Sequence, residues 1–180
     1  MLSFLIILIF IYCCYVGYRR GVIYEGLVGI GYVISLLIAA LLYKPVSKLI
    51  NLWVPYPSAN DKSTFAFFDK TTGLTLDQSF YAAVSFVIVL LVVFCIWRLI
   101  LSGFNSLKYI DINASINAWG GILISLIVTQ ISLYLLLFIL ATVAEPGIQH
   151  SLGKSILANS ILRFSPGISH LFINLFVTSV

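Results

Sequence analysis

The sequence predicts an all-α membrane protein with four transmembrane helices, and with interfacial amphipathic helices in a long loop and a C-terminal tail. Three observations predict it. Of 180 residues, 61% are apolar or aromatic and only 9% are charged. The mean hydropathy is +1.11. The apolar residues gather into four long stretches, with the charges at their ends and between them. A soluble domain carries about 25% charged residues, because its surface needs them. Ten Lys plus Arg and six acids cannot coat a water-facing surface of this length. An ordinary soluble enzyme, a disordered chain and a nucleic-acid-binding domain are thereby excluded. The net charge of +4 has no dense basic patch behind it and reads as a membrane-surface signal. The lipid bilayer is the expected partner, and nucleic acid is not.

The spans are expected at about 2–18, 22–43, 80–101 and 118–144, within a membrane domain of residues 1–144, and residues 145–180 form the tail. Each stretch approaches or exceeds the roughly 20 residues a helix needs to cross the hydrocarbon core. The first has no basic residue before its apolar run and no small-residue cleavage site after it, so it reads as a retained helix. Tyr18-Arg19-Arg20-Gly21 then allows only a tight antiparallel hairpin into the second.

In the long connection, Lys44-Pro45 is expected to end the second helix, since proline disfavours the α region in the residue before it. Val46, Leu49, Ile50 and Trp53 recur at helical spacing and predict a short interfacial helix anchored by Trp53 and Tyr56. Asp61, Asp69 and Asp77 make the rest of this connection the most acidic part of the chain. Ser102 to Asn117 forms the third connection. After the fourth span, Glu145-Pro146-Gly147 breaks the helix. Leu157, Ile161 and Phe164 predict one amphipathic helix, and Ser165-Pro166 opens a second with Ile168, Leu171, Phe172 and Leu175 on one face. That segment, carrying His170 and Asn174, is assigned to the membrane surface or the bundle flank. The basic residues nearest the spans, Arg19, Arg20, Arg98 and Lys108, favour cytoplasmic short loops. Both termini and the long loop are then expected outside.

Small residues recur every four positions. Gly17, Gly21, Glu25 and Gly29 form one series, Gly31, Ser35 and Ala39 a second, and Gly121, Ser125 and Thr129 a third. Small residues at this spacing let helix backbones approach closely, because lipid supplies no hydrophobic drive between spans. The stripes predict tight packing inside one bundle, or in a homo-oligomer. Glu25 is the acid that intrudes on a span, and an ionisable group at membrane depth is a functional candidate. It lies only about one turn beyond Gly21, where Arg19 and Arg20 are near enough to neutralise it. Structural pairing competes there with proton or cation handling. Arg98 reads as a side chain snorkelling to the interface beside Trp97. Gln130 is the best polar candidate within a span, although a helix-to-helix hydrogen bond explains it equally well. Cys13, Cys14 and Cys95 read as small buried side chains. No catalytic, metal-ligand, nucleotide or cofactor motif is present: there is no HExxH, CxxC, Gly-x-Ser-x-Gly or phosphate loop. The chain is not expected to be an enzyme.

The arrangement resembles the colicin V production protein (CvpA) family of bacterial inner-membrane proteins. The resemblance rests on Arg20-Gly21-x-x-x-Glu25-x-Leu27 between a short and a longer span, on Trp53-Val54-Pro55-Tyr56-Pro57 in the long loop, and on Asn113 leading into Gly121. It covers about residues 2 to 175. The family often has Asn or Asp followed by Arg, then two glycines four apart, before the fourth helix. Here Ala114 stands in place of the arginine and Asn117 at the position of the first glycine. The resemblance implies a multi-pass protein linked to toxin production or export. Some relatives carry an outer serine protease domain after the fourth span, which supports the topology above. Two readings follow. One is an accessory protein that supports export or envelope homeostasis by binding itself or another membrane or envelope protein. The other is a small oligomeric channel or transporter.

Overall fold

A computed structural model describes residues 2–52, 67, 76–104, 113–163 and 172. All regular structure among them is helical: α1 (Leu2–Ile50), α2 (Leu76–Ser102), α3 (Ala114–Thr142), α4 (Pro146–Lys154) and α5 (Ile156–Arg163). Three helices are long and apolar enough to cross a membrane, namely α1 with 49 residues, α2 from Asp77 with 26 and α3 with 29.

A straight helix of α1's length would span about 73 Å, more than twice a hydrocarbon core of about 30 Å. It is not straight. Gly21 has φ 76° and ψ 168°, which breaks the helical path. The neighbours of each limb show what the break does. Gly17 lies against Gly121, and Gly29 lies against Ile124. Residues 17 and 29 would be about 18 Å apart on one straight helix, whereas 121 and 124 are about 5 Å apart on α3. The chain therefore doubles back at Gly21, and residues 2–20 and 22–50 run side by side along α3. Further along, Ser125 Oγ donates to Cys13 O at 2.9 Å and Tyr32 Oη meets Ser132 Oγ at 2.8 Å, one on each limb.

The second limb pairs antiparallel with α2. Trp97 meets Leu27, Phe94 meets Tyr32 and Phe86 meets Tyr43 as the two chains run in opposite directions. Three long helices thus make four limbs, each antiparallel to the one before it in sequence. The main core lies between them, built on Tyr32, Tyr43, Phe86, Leu133, Tyr134 and Phe138. A smaller cluster of Tyr24, Val28 and Leu101 fills the hairpin end. The outer face is as apolar as the inner: Phe4, Leu41 and Leu99 are each more than 70% exposed. A water-facing protein rarely exposes contiguous apolar surface on every long element, and lipid solvates such a face at no cost.

Several expected boundaries move. Pro45 does not end the second limb; α1 continues through it to Ile50 with helical angles. Proline at 45 removes one bond, to Leu41, at a position where Leu41, Lys44 and Pro45 are all exposed and the ring has room. Tyr43 is buried and Val46 packs on the core, which holds the helix together on both sides of the proline. The segment Val46 to Ile50 is accordingly the end of α1 rather than a separate helix. Trp53 and Tyr56 lie outside the described residues, as do Asp61 and Asp69. α3 begins at Ala114, earlier than expected, because Asn113 caps it by accepting from Ser115 N at 3.2 Å.

The far end is closed by the tail. Pro146 opens α4 at N1, and Gln149 turns back to donate to Ala141 O at 3.1 Å and Val143 O at 2.7 Å. These are carbonyls that the end of α3 leaves without helical partners. Ser155 Oγ caps α5 at Ala158 N and bonds Ser3 Oγ at 2.9 Å, which fixes the first turn of the chain to the tail. Ser165, Pro166, Ile168, His170, Leu171, Asn174 and Leu175 lie outside the described residues. Phe172 is buried, with its ring centroid 5.6 Å from that of Phe86 and 5.8 Å from that of Tyr134.

Candidate functional site: the hairpin end

Gly21 is where the sequence's charged and small residues converge. Its positive φ is a conformation that side chains with a Cβ rarely adopt. There is also no space for one, because the Asn117 amide occupies the place where a Cβ would project. Asn117 Oδ1 accepts from Val22 N at 2.8 Å. Val22 opens the second limb, so its N–H has no partner within that limb. A side chain from α3 therefore caps a helix start that lies far away in sequence.

Below the turn the backbones of the first limb and α3 touch. A Cβ on Gly17 would lie 2.6 Å from Gly121 O, and one on Gly121 would collide with Gly17 O. Ser125 adds its bond to Cys13 O one turn further. On the α2 side, the Trp97 indole occupies the place where a Cβ on Gly31 would project and donates to Leu27 O at 2.9 Å. Ser35 is fully buried and spends its hydroxyl on Gly31 O at 2.7 Å. Glycine is needed at 17, 31 and 121 because each position seats a neighbouring helix.

Glu25 sits inside this end at 3% exposure. Its partner is Arg20, with Nη1 3.6 Å from Oε2, beyond good hydrogen-bond length. Oε2 is buried without a hydrogen-bond partner. Arg20 also lies 5.8 Å from the Tyr24 ring, and Arg98, within electrostatic reach of Glu25, lies 5.9 Å from Phe94. Arg19 is exposed. The site thus gathers Arg19, Arg20, Gly21, Glu25, Gly17, Gly29 and Gly121. Gln130 is elsewhere, about 14 Å along α3 from Gly121, in an apolar recess with Phe10, Ile127 and Ile131. Asn117 and Trp97 are the structural residues that sequence reasoning did not select. An Asn in the first turn of a helix, one turn before a packing glycine, was the available signal for the first.

The cysteines are free. Cys13 and Cys14 are half-buried, whereas Cys95 is exposed on α2 and not buried as the sequence predicts. It stands on the apolar outer face between Leu91, Val92, Ile96 and Leu99, where a small soft side chain is acceptable in lipid. Among the described residues no three His, Cys, Asp or Glu side chains gather as a metal site.

An all-helical bundle, apolar inside and out, with the one buried acid among the described residues held at a glycine-closed helix junction, defines a helical membrane protein. Residues 2–166 match the family described as Colicin V production protein, and the chain belongs to that family. It is 26% identical over 172 residues, 95% of this chain and 94% of the other, to a protein of Bacillus subtilis (strain 168) named "Uncharacterized transmembrane protein YshB". No solved structure matches it.

Proposed function

We propose that the chain is an accessory protein of the bacterial inner membrane, with no catalytic activity of its own, which acts by binding another membrane or envelope protein or a second copy of itself. In this reading α1 crosses the membrane twice, four crossings are made in all, and both termini and the long loop face outward. The family's description names production of colicin V, and toxin production or export, or envelope homeostasis, is the process served in this reading. The observation that supports an accessory role is the use made of the buried polar side chains. Ser35, Ser85, Ser125 and Thr129 each donate to a backbone carbonyl inside the bundle. Three of these bonds close within their own helix, four residues back, and Ser125 bonds across to the first limb, so the hydroxyls are spent on backbone and do not line a polar path. Crosslinking in native membranes followed by copurification tests this: a discrete crosslinked partner is expected, and recovery of the lone monomer would overturn it.

Glu25 favours a second reading, a small oligomeric channel or transporter, because a buried carboxylate oxygen with no donor is a group that transport can use. Ion and solute flux in proteoliposomes, measured with the wild type, Glu25→Gln and Gln130→Ala, separates the two. Flux abolished by either substitution would replace the accessory reading.

A further inference from the structure

One face of the bundle is left open where Gly26 and Gly29 put no side chain between the second limb of α1 and α3. The result is a groove of about 420 Å³, walled by Ile30, Val33, Ile124 and Ile127. Ile30, Val33 and Ile127 are each more than half exposed, so the groove opens sideways toward the surroundings. From Gly26 to Ile34 it runs about 12 Å along the helix axis. A Cβ on Gly26 would meet only Ile124 Cδ1, at 4.0 Å, so the space beside it is truly empty.

Its upper end, at Gly26, lies about one turn below Val22 and the hairpin that carries Arg19 and Arg20. Among the described residues, this end of the bundle carries Arg19, Arg20 and Arg98 against one acid, Glu25. Glu25 is buried and engaged by Arg20, and the exposed Arg19 has no ion-pair partner among the described residues. Trp119, 68% exposed beside Gly120, stands at the same level on α3, where an indole suits a headgroup boundary.

We propose that this groove seats one acyl chain of an anionic phospholipid, whose phosphate is held by Arg19. The apolar walls select a hydrocarbon occupant, and the surplus positive charge at the upper end selects the headgroup. The groove is laterally open, so a lipid enters from the bilayer without unfolding the bundle.

Native mass spectrometry of the detergent-purified full chain, titrated with phosphatidylglycerol and with phosphatidylcholine of the same chains, tests the assignment. The wild type retains phosphatidylglycerol preferentially. Arg19→Gln lowers that retention about fivefold, the equivalent of about 1 kcal/mol per basic residue at an anionic surface, and changes that of phosphatidylcholine, whose choline cation offsets its phosphate charge, much less. Gly26→Leu fills the groove and lowers retention of both lipids, and Ile127→Trp does the same from the other wall should the first variant fail to fold. Equal retention of the two lipids by the wild type, or full retention by a groove-filled variant with unchanged thermal unfolding, would overturn the proposal. Disulfide-linked dimers formed through Val33→Cys, with lipid retention unaffected by Gly26→Leu, would also overturn it and assign the groove to a second copy.

Discussion

Replacing Gly17 by alanine tests how tightly the first limb is held against α3. The added Cβ would lie 2.6 Å from Gly121 O and 2.9 Å from both Gly121 C and Ser125 Cβ, where ordinary contact begins at 3.4 Å. The two backbones must therefore separate by about 0.8 Å, enough to forfeit about a quarter to a half of each dispersion contact across the crossing. Separation stretches the bond from Ser125 to Cys13, worth about 0.6 kcal/mol between membrane helices, and weakens the close Cα–H contacts of the crossing, about 0.5–1 kcal/mol each. With the packing strain of an added methyl group, the expected loss is about 2–3 kcal/mol. Gly121→Ala forces the same two backbones apart, so the double variant should cost clearly less than the sum of the two. Gly147→Ala is the control: nothing lies within 4 Å of a Cβ there. Reversible unfolding in mixed micelles, followed by far-UV circular dichroism, reads all four. A Gly17→Ala protein as stable as the wild type, or strictly additive losses, would refute the close crossing.

Four further outcomes are expected. Gly21→Ala combines the left-handed penalty of about 1–2 kcal/mol with displacement of Asn117, and should lower the unfolding midpoint more than Gly29→Ala, whose Cβ meets only the movable Ile124 methyl at 3.0 Å. Asn117→Gly leaves Val22 N–H unpartnered and costs about 1–2 kcal/mol; faster amide exchange at Val22 is the direct measurement. Arg20→Ala strands the buried Glu25 and should destabilise by about 3–5 kcal/mol, while Arg20→Ala with Glu25→Leu recovers most of the loss; an unrecovered double variant would show that the pair is not the cause. Gln149→Leu frees the carbonyls of Ala141 and Val143 and should raise exchange at the C-terminal turn of α3 without altering the hairpin end.

The sequence reveals the helical membrane class because lipid allows few alternatives: long apolar runs with charges at their ends have one low-energy form. It also marks Gly17 and Gly121, since glycines at helical spacing in apolar helices have a narrow set of uses. What it conceals depends on contacts made across the fold. Gly17, Gly21, Glu25 and Gly29 look like a single stripe, yet the reversal at Gly21 places Gly17 and Gly29 on different limbs, touching α3 from two sides. Pro45 carries a strong local signal to stop, and packing of Tyr43 and Val46 overrides it. Asn117 stands where the family resemblance expects glycine, and only the distant Val22 N–H explains an amide there. The tail segment reads as lying on the membrane surface or on the bundle flank, and the Phe172 ring, stacked on Tyr134 and edge-on to Phe86, is buried against the bundle.

The cap on the hairpin has a consequence for biogenesis. Val22 and Asn117 are 95 residues apart. At synthesis rates of about 5–20 residues per second, Asn117 emerges about 5–19 s after the turn it secures. If both limbs of α1 cross the bilayer, as proposed above, they enter it during that interval with the Val22 amide bound to water, which keeps the turn at the wet boundary and out of the hydrocarbon. Arrival of α3 then exchanges that water for a protein amide, so a hairpin inserted early becomes permanent only when the last long helix reaches it.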